Sequence, residues 1–96
     1  MNYIQRIFLI SGKSTVIMDP NAEILSLGPA NDYGCYSVYL YVSQDEKAPS
    51  AARCFEVIQS HGSSAAVLYE PSTALFRGSV FLKDDIVSHV FERLVL

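Results

Sequence analysis

Four features of this 96-residue chain could carry chemistry: the tetrapeptide Gly12-Lys13-Ser14-Thr15, two cysteines, two histidines and a cluster of tyrosines. The tetrapeptide follows the apolar stretch Ile7–Ile10, as a phosphate loop follows its strand. A full loop also needs glycine five residues before Gly12, so that backbone amides can cradle an anion. Ile7 stands there. Thr15, Val16 and Ile17 are β-branched and Pro20 follows soon after, which opposes the helix whose N-terminus would hold the phosphate. The tetrapeptide therefore reads as turn chemistry rather than as a nucleotide site.

A cysteine nucleophile needs an activating base. Cys54 and His61 are seven residues apart, roughly 10 Å along a helix at 1.5 Å per residue, which is beyond hydrogen-bond reach. Ala51 and Ile58 flank Cys54 at helical spacing and assign it to an apolar face, where a thiol packs as a small hydrophobe. A Cys35–His89 pair stays open on sequence grounds. His61 beside Gly62 suits the C-terminal end of a helix, and His89 falls in a closing helix. Two histidines without a carboxylate or cysteine cluster form no recognisable ligand set, and Asp84-Asp85 suits helix capping. The sequence thus assigns no catalytic residue, no metal and no cofactor.

The tyrosines are more suggestive. Four of the six fall between positions 33 and 41. In an extended strand Tyr36, Val38, Leu40 and Val42 share one face, while Cys35, Ser37, Tyr39 and Tyr41 share the other, with Tyr33 in line. The first face belongs to the core. The second carries rings with polar tips, the composition of recognition surfaces. The expected partner-binding residues are Tyr33, Ser37, Tyr39 and Tyr41.

Composition narrows the class. Leu, Ile, Val and Phe supply 30 of 96 residues, well above the level at which a chain stays disordered. Charged residues are only 18%, below the usual quarter, and mean hydropathy is +0.22. Part of the surface is therefore apolar and expected to be covered by a second copy or a partner. Seven cations are scattered among ten acids, so direct nucleic-acid binding is not expected. No apolar stretch approaches the length of a membrane helix, because Arg6, Lys13 and Asp19 interrupt the longest candidate. Without a recognisable secretory leader, and with two thiols too few for a disulfide scaffold, the expected location is the cytoplasm.

The elements that must position these groups follow from pattern. Tyr3–Ile10 reads as a strand, and Thr15–Met18 and Glu23–Leu27 as a hairpin around Asp19-Pro20-Asn21-Ala22. Cys35–Ser43 is the clearest strand. Pro49 opens a helix to about Ser60, with Ala51, Cys54, Phe55 and Ile58 on its apolar stripe. Ala65–Glu70 and Ala74–Leu82 read as paired strands, with Gly78 marking a bulge or close backbone approach. Ile86, Val90 and Leu94 mark a closing helix, with a final strand as the alternative because of the β-branched content. The expected fold class is α+β: a mainly antiparallel sheet of five to six strands with two helices on one face, in the order ββββ-α-ββ-α, as one domain over residues 1–96.

These features predict a small, acidic, non-enzymatic interaction protein that binds and occludes a macromolecular partner, in the manner of an inhibitor, immunity or adaptor protein. The alternative is a homo-oligomer with a small ligand in a tyrosine-lined site where subunits meet. Either way the expected state is a homo-oligomer or a heteromeric complex.

Overall fold

The computed structural model describes residues 1–30, 36–62 and 65–94. Seven strands carry these residues: β1 (Asn2–Leu9), β2 (Gly12–Met18), β3 (Glu23–Pro29), β4 (Val38–Asp45), β5 (Ala51–His61), β6 (Ala74–Phe81) and β7 (Ile86–Arg93). They form a three-stranded sheet in the order β1-β4-β3 and a four-stranded sheet in the order β2-β5-β7-β6. Every pairing is antiparallel. Among the described residues there is no helix, so the α+β expectation is corrected to an all-β, two-sheet architecture.

Both expected helices are strands, each for its own physical reason. In β5 the helix-spaced residues divide between two faces: Phe55 points inward with Arg53 and Val57, while Cys54 and Ile58 point outward. Both faces are partly covered, so apolar residues occur on both and imitate a helical stripe. In β7 the residues supporting a helix, Ile86 and Val90, are four apart, and four residues restore the same face in a strand as well as in a helix. The intervening Val87, Ser88 and His89 complete a strand that lies between β5 and β6. Asp84 and Asp85 do not cap a helix. With φ of 63° and 59° they form the centre of the β6–β7 hairpin turn, where both central residues are left-handed as in type I′. Leu82 donates its amide to the Ile86 carbonyl at 2.8 Å to close that hairpin.

Two expected pairings are also corrected. The Asp19-Pro20-Asn21-Ala22 turn forms, with the Ala22 amide donating to the Asp19 carbonyl at 3.1 Å and the Asn21 amide to Asp19 Oδ1 at 2.8 Å. It joins strands of different sheets, however, and is a corner rather than a hairpin. Residues Ala65–Glu70 are not a strand, and β6 pairs with β7 instead. The bulge expected at Gly78 is present, and what lies close to it is a side chain rather than another backbone. The register shifts between Phe76 and Gly78, and at φ 140° a side chain on Gly78 would place its Cβ 2.7 Å from Leu27 Cδ1.

The core lies between the sheets. Leu9, Val38, Leu40 and Val42 from the three-stranded sheet meet Met18, Phe55, Val57, Val80 and Val90 from the other. One edge of this interior is ionic. Arg53, 8% exposed, donates Nε and Nη2 to the two oxygens of Glu92 at 2.7 and 2.8 Å. Its Nη1 reaches the carbonyls of Asp19 and Ala22 at 3.3 and 2.9 Å. Arg77 adds two further bonds to Glu92 Oε1 at 3.0 and 2.7 Å. The Glu92 bond, the largest influence, raises Arg53 above its ordinary value against the opposing effect of burial.

Candidate functional site

Strand pairing assembles the site. In β4 the alternation is regular: Val38, Leu40, Val42 and Gln44 are buried, so Tyr39, Tyr41 and Ser43 face outward. The register Phe8↔Tyr39 and Arg6↔Tyr41 then sets outward residues of β1 beside the rings, and Gly28↔Tyr39 and Ser26↔Tyr41 do the same for β3. Phe8 meets Tyr39 edge-on, with centroids 5.9 Å apart, and Tyr39 lies 6.5 Å from Tyr41. The Arg6 guanidinium sits 4.2 Å from the Tyr39 ring centroid, a cation–π geometry. Gly28 lies beneath Tyr41, and a Cβ there would meet the ring's Cε2 at 3.4 Å, an ordinary van der Waals contact.

The outer face of the three-stranded sheet is therefore a cluster of Arg6, Phe8, Tyr39 and Tyr41, with Ile4 beside it 71% exposed and Phe8 40% exposed. Among the described residues no strand lies over this face. Such a face is capable of burying rings and a stacked guanidinium against another macromolecule, the residue types that dominate binding energy at interfaces.

Of the four residues singled out from sequence, Tyr39 and Tyr41 stand together on this face. Tyr33 lies outside the described residues, as does Cys35. Ser37 does not join the cluster. The chain is left-handed at Tyr36 (φ 73°), β4 begins only at Val38, and Ser37 is buried at 5% with its carbonyl accepting the Ala30 amide. The alternation drawn from residue 35 onward thus starts three residues late. Tyr36, assigned to the core face, is half-buried. It packs edge-on against His61 at 6.1 Å, and its carbonyl accepts Ser88 Oγ–H at 3.0 Å. Arg6 and Phe8 were not singled out. Their signal was present in β1, where Ile4, Arg6 and Phe8 alternate with Ile7 and Leu9, but only the register shows which neighbours they meet.

The cysteine and histidines are placed differently from the helical reading. Cys54 is half-buried on the outer face of β5, opposite Thr15, with Sγ 3.7 Å from Thr15 Oγ1. Seven residues of extended chain separate it from His61 by about 23 Å, at roughly 3.3 Å per residue. His89 lies on the outer face of the four-stranded sheet between two serines. Ser60 Oγ is 2.8 Å from Nε2 and Ser79 Oγ 2.7 Å from Nδ1. In either neutral tautomer one serine donates to the ring and the other accepts from it, so the imidazole orientation is fixed. The ring borders an open cleft of about 320 Å³ with Ala65, Val67, Tyr69, Phe76 and Phe91. Tyr69 covers Phe91 at 4.8 Å, and Phe76 adjoins Phe91 at 5.5 Å, which explains why Phe91 is buried although it faces outward. Among the described residues no three histidine, cysteine, aspartate or glutamate side chains converge as metal ligands.

Compared with models of protein families, with curated proteins and with solved structures, the chain matches none. The class that can be stated is architectural: an antiparallel β-protein of two stacked sheets with a ring-bearing outer face.

Proposed function

We propose that this chain is a small non-enzymatic interaction protein that binds and occludes a protein partner with the outer face of its three-stranded sheet. The observation that carries the reading is the Arg6–Phe8–Tyr39–Tyr41 cluster on a sheet face, continuous with exposed Ile4. Aromatic rings and arginine are the groups that gain most from desolvation at an interface. Tyr39 and Tyr41 act as anchors in this reading, and Arg6, its guanidinium over the Tyr39 ring, adds contact area. Glu23, Asp45 and Glu46, all exposed, lie at one end of the same sheet and favour a partner with a basic rim.

The test is affinity capture from the native host with the wild-type chain and with a Tyr39→Ala, Tyr41→Ala double variant, followed by mass measurement of the complex. Both rings are outside the core, so the variant keeps its fold, checked by circular dichroism. Specific capture by the wild type that the variant loses at least tenfold supports the proposal. Equal capture by both overturns it. A complex of this chain alone with a bound small molecule favours instead the tyrosine-lined ligand site between subunits.

A further inference from the structure

Two sheets have four edges, and the strands at those edges are unequally protected. An unprotected edge presents a row of backbone donors and acceptors to any strand that can pair with it. Among the described strands, β3 carries a register shift between Ile24 and Ser26 and ends in Pro29. β6 carries the bulge before Gly78 and packs beside β3. β2 begins with Gly12 and exposed Lys13. These are the devices that discourage edge pairing. β1 has none of them. Asn2–Leu9 runs eight residues in unbroken register with β4, without proline, glycine, lysine or bulge. Its one charge is Arg6, and that guanidinium is drawn inward over Tyr39 of β4, 4.2 Å from the ring centroid, rather than out past the rim.

We propose that β1 pairs antiparallel with β1 of a second copy about a two-fold axis centred on Gln5. The register follows from elementary constraints. Residues directly opposite in an antiparallel pair point to the same face, so a two-fold axis perpendicular to the sheet must pass midway between a residue and its own copy. Centring on Gln5 or on Arg6 gives the longest overlap of Asn2–Leu9. An Arg6 centre sets two guanidinium groups directly opposite each other, which destabilises the pair. The Gln5 centre instead places Ile4 opposite the partner's Arg6, Tyr3 opposite the partner's Ile7 and Asn2 opposite the partner's Phe8, with no like charges facing. The product is a six-stranded sheet, β3-β4-β1 joined to its copy. Because the axis is perpendicular to the sheet, both ring clusters lie on the same side and form one surface. This pairing does not depend on the partner proposed for the tyrosine face, and the purified chain alone tests it.

The experiment is sedimentation velocity across a concentration series from micromolar to millimolar. The wild type forms a concentration-dependent dimer. Ile4 is 71% exposed, so substitutions there leave the monomer's melting temperature unchanged. Ile4→Lys sets an ammonium opposite the partner's Arg6 twice over and raises the dimer dissociation constant about tenfold, whereas Ile4→Glu leaves it unchanged or lowers it. In parallel, Gln5→Cys brings two Cβ atoms to about 4.5–5.5 Å and oxidises to a disulfide-linked dimer beyond the wild-type background, while Arg6→Cys does not. A chain that stays monomeric throughout overturns the proposal. Equal effects of Ile4→Lys and Ile4→Glu, or faster cross-linking through Arg6→Cys, overturn the Gln5-centred pairing.

Discussion

Replacing Arg53 by methionine tests whether the ionic edge of the interior is structural. The Arg53 and Glu92 side chains are 9% and 12% exposed, and Arg53 makes two bonds to Glu92 and two to backbone carbonyls. Breaking a buried pair by removing one partner costs about 3–5 kcal/mol, because the remaining charge is left uncompensated. Here Arg77 still holds Glu92, which places the loss near the bottom of that range, and the carbonyls of Asp19 and Ala22 add about 1 kcal/mol when their donor goes. The expected cost is therefore about 3–4 kcal/mol. At about 4–8 °C per kcal/mol for a chain of this size, melting falls by about 12–32 °C. Urea unfolding followed by circular dichroism reads the change as a lower midpoint at constant slope. The double variant Arg53→Met, Glu92→Leu recovers part of the loss, since the only charge it leaves without this partner is Arg77, whose side chain, 31% exposed, can return to water, while the loss at the two carbonyls remains. A single-variant cost below about 1 kcal/mol, or a double-variant cost equal to the sum of the singles, refutes the reasoning.

The same network sets an acid limit. Burial, the largest influence on Glu92, raises its carboxyl, but hydrogen bonds from Arg53 and Arg77 and their charges outweigh it and hold the group below its ordinary 4.5. A depressed carboxylate contributes stability that is complete above the unfolded value and is lost as pH falls through the folded one. The urea midpoint is therefore flat above about pH 5 for this group and declines below about pH 4.5, and Glu92→Gln flattens that decline. Gly78→Ala meets both a left-handed backbone and the Leu27 methyl 2.7 Å away, and costs about 2–3 kcal/mol by the same urea assay.

The legible parts of the fold were those in which one face is apolar and the other is not. In β4, valine and leucine alternate with tyrosine, and the pattern admits only a strand. Gly78 announced a bulge because a glycine amid apolar residues has little other use there. β5 and β7 were misread because Cys54, Phe55, Val57 and Ile58 put apolar groups on both faces, and because Ile86 and Val90 share a face under either period. Pairing was beyond local pattern altogether. The Asp19–Ala22 turn has hairpin chemistry, yet β3 pairs with β4, the next strand along, and β2 leaves for β5, whose residues lie 33 to 45 positions away. The site inherits this division. Tyr39 and Tyr41 were visible in their own strand, whereas Arg6 and Phe8 join them only through the β1–β4 register. His89 meets Ser60 and Ser79 only because β7 lies between β5 and β6.

The position of β5 as a spine between β2 and β7 has a consequence during synthesis. β2 is made before β5 and has no lateral neighbour until β5 emerges, and the other edge of β5 stays unpaired until β7 arrives. Between the synthesis of β5 and that of β7, Phe55 and Val57 thus sit on a ribbon without its second neighbour. Closure of this sheet waits for β7, which joins β5 to β6, and a nascent chain stalled before β7 is a substrate for holding chaperones rather than a half-built protein.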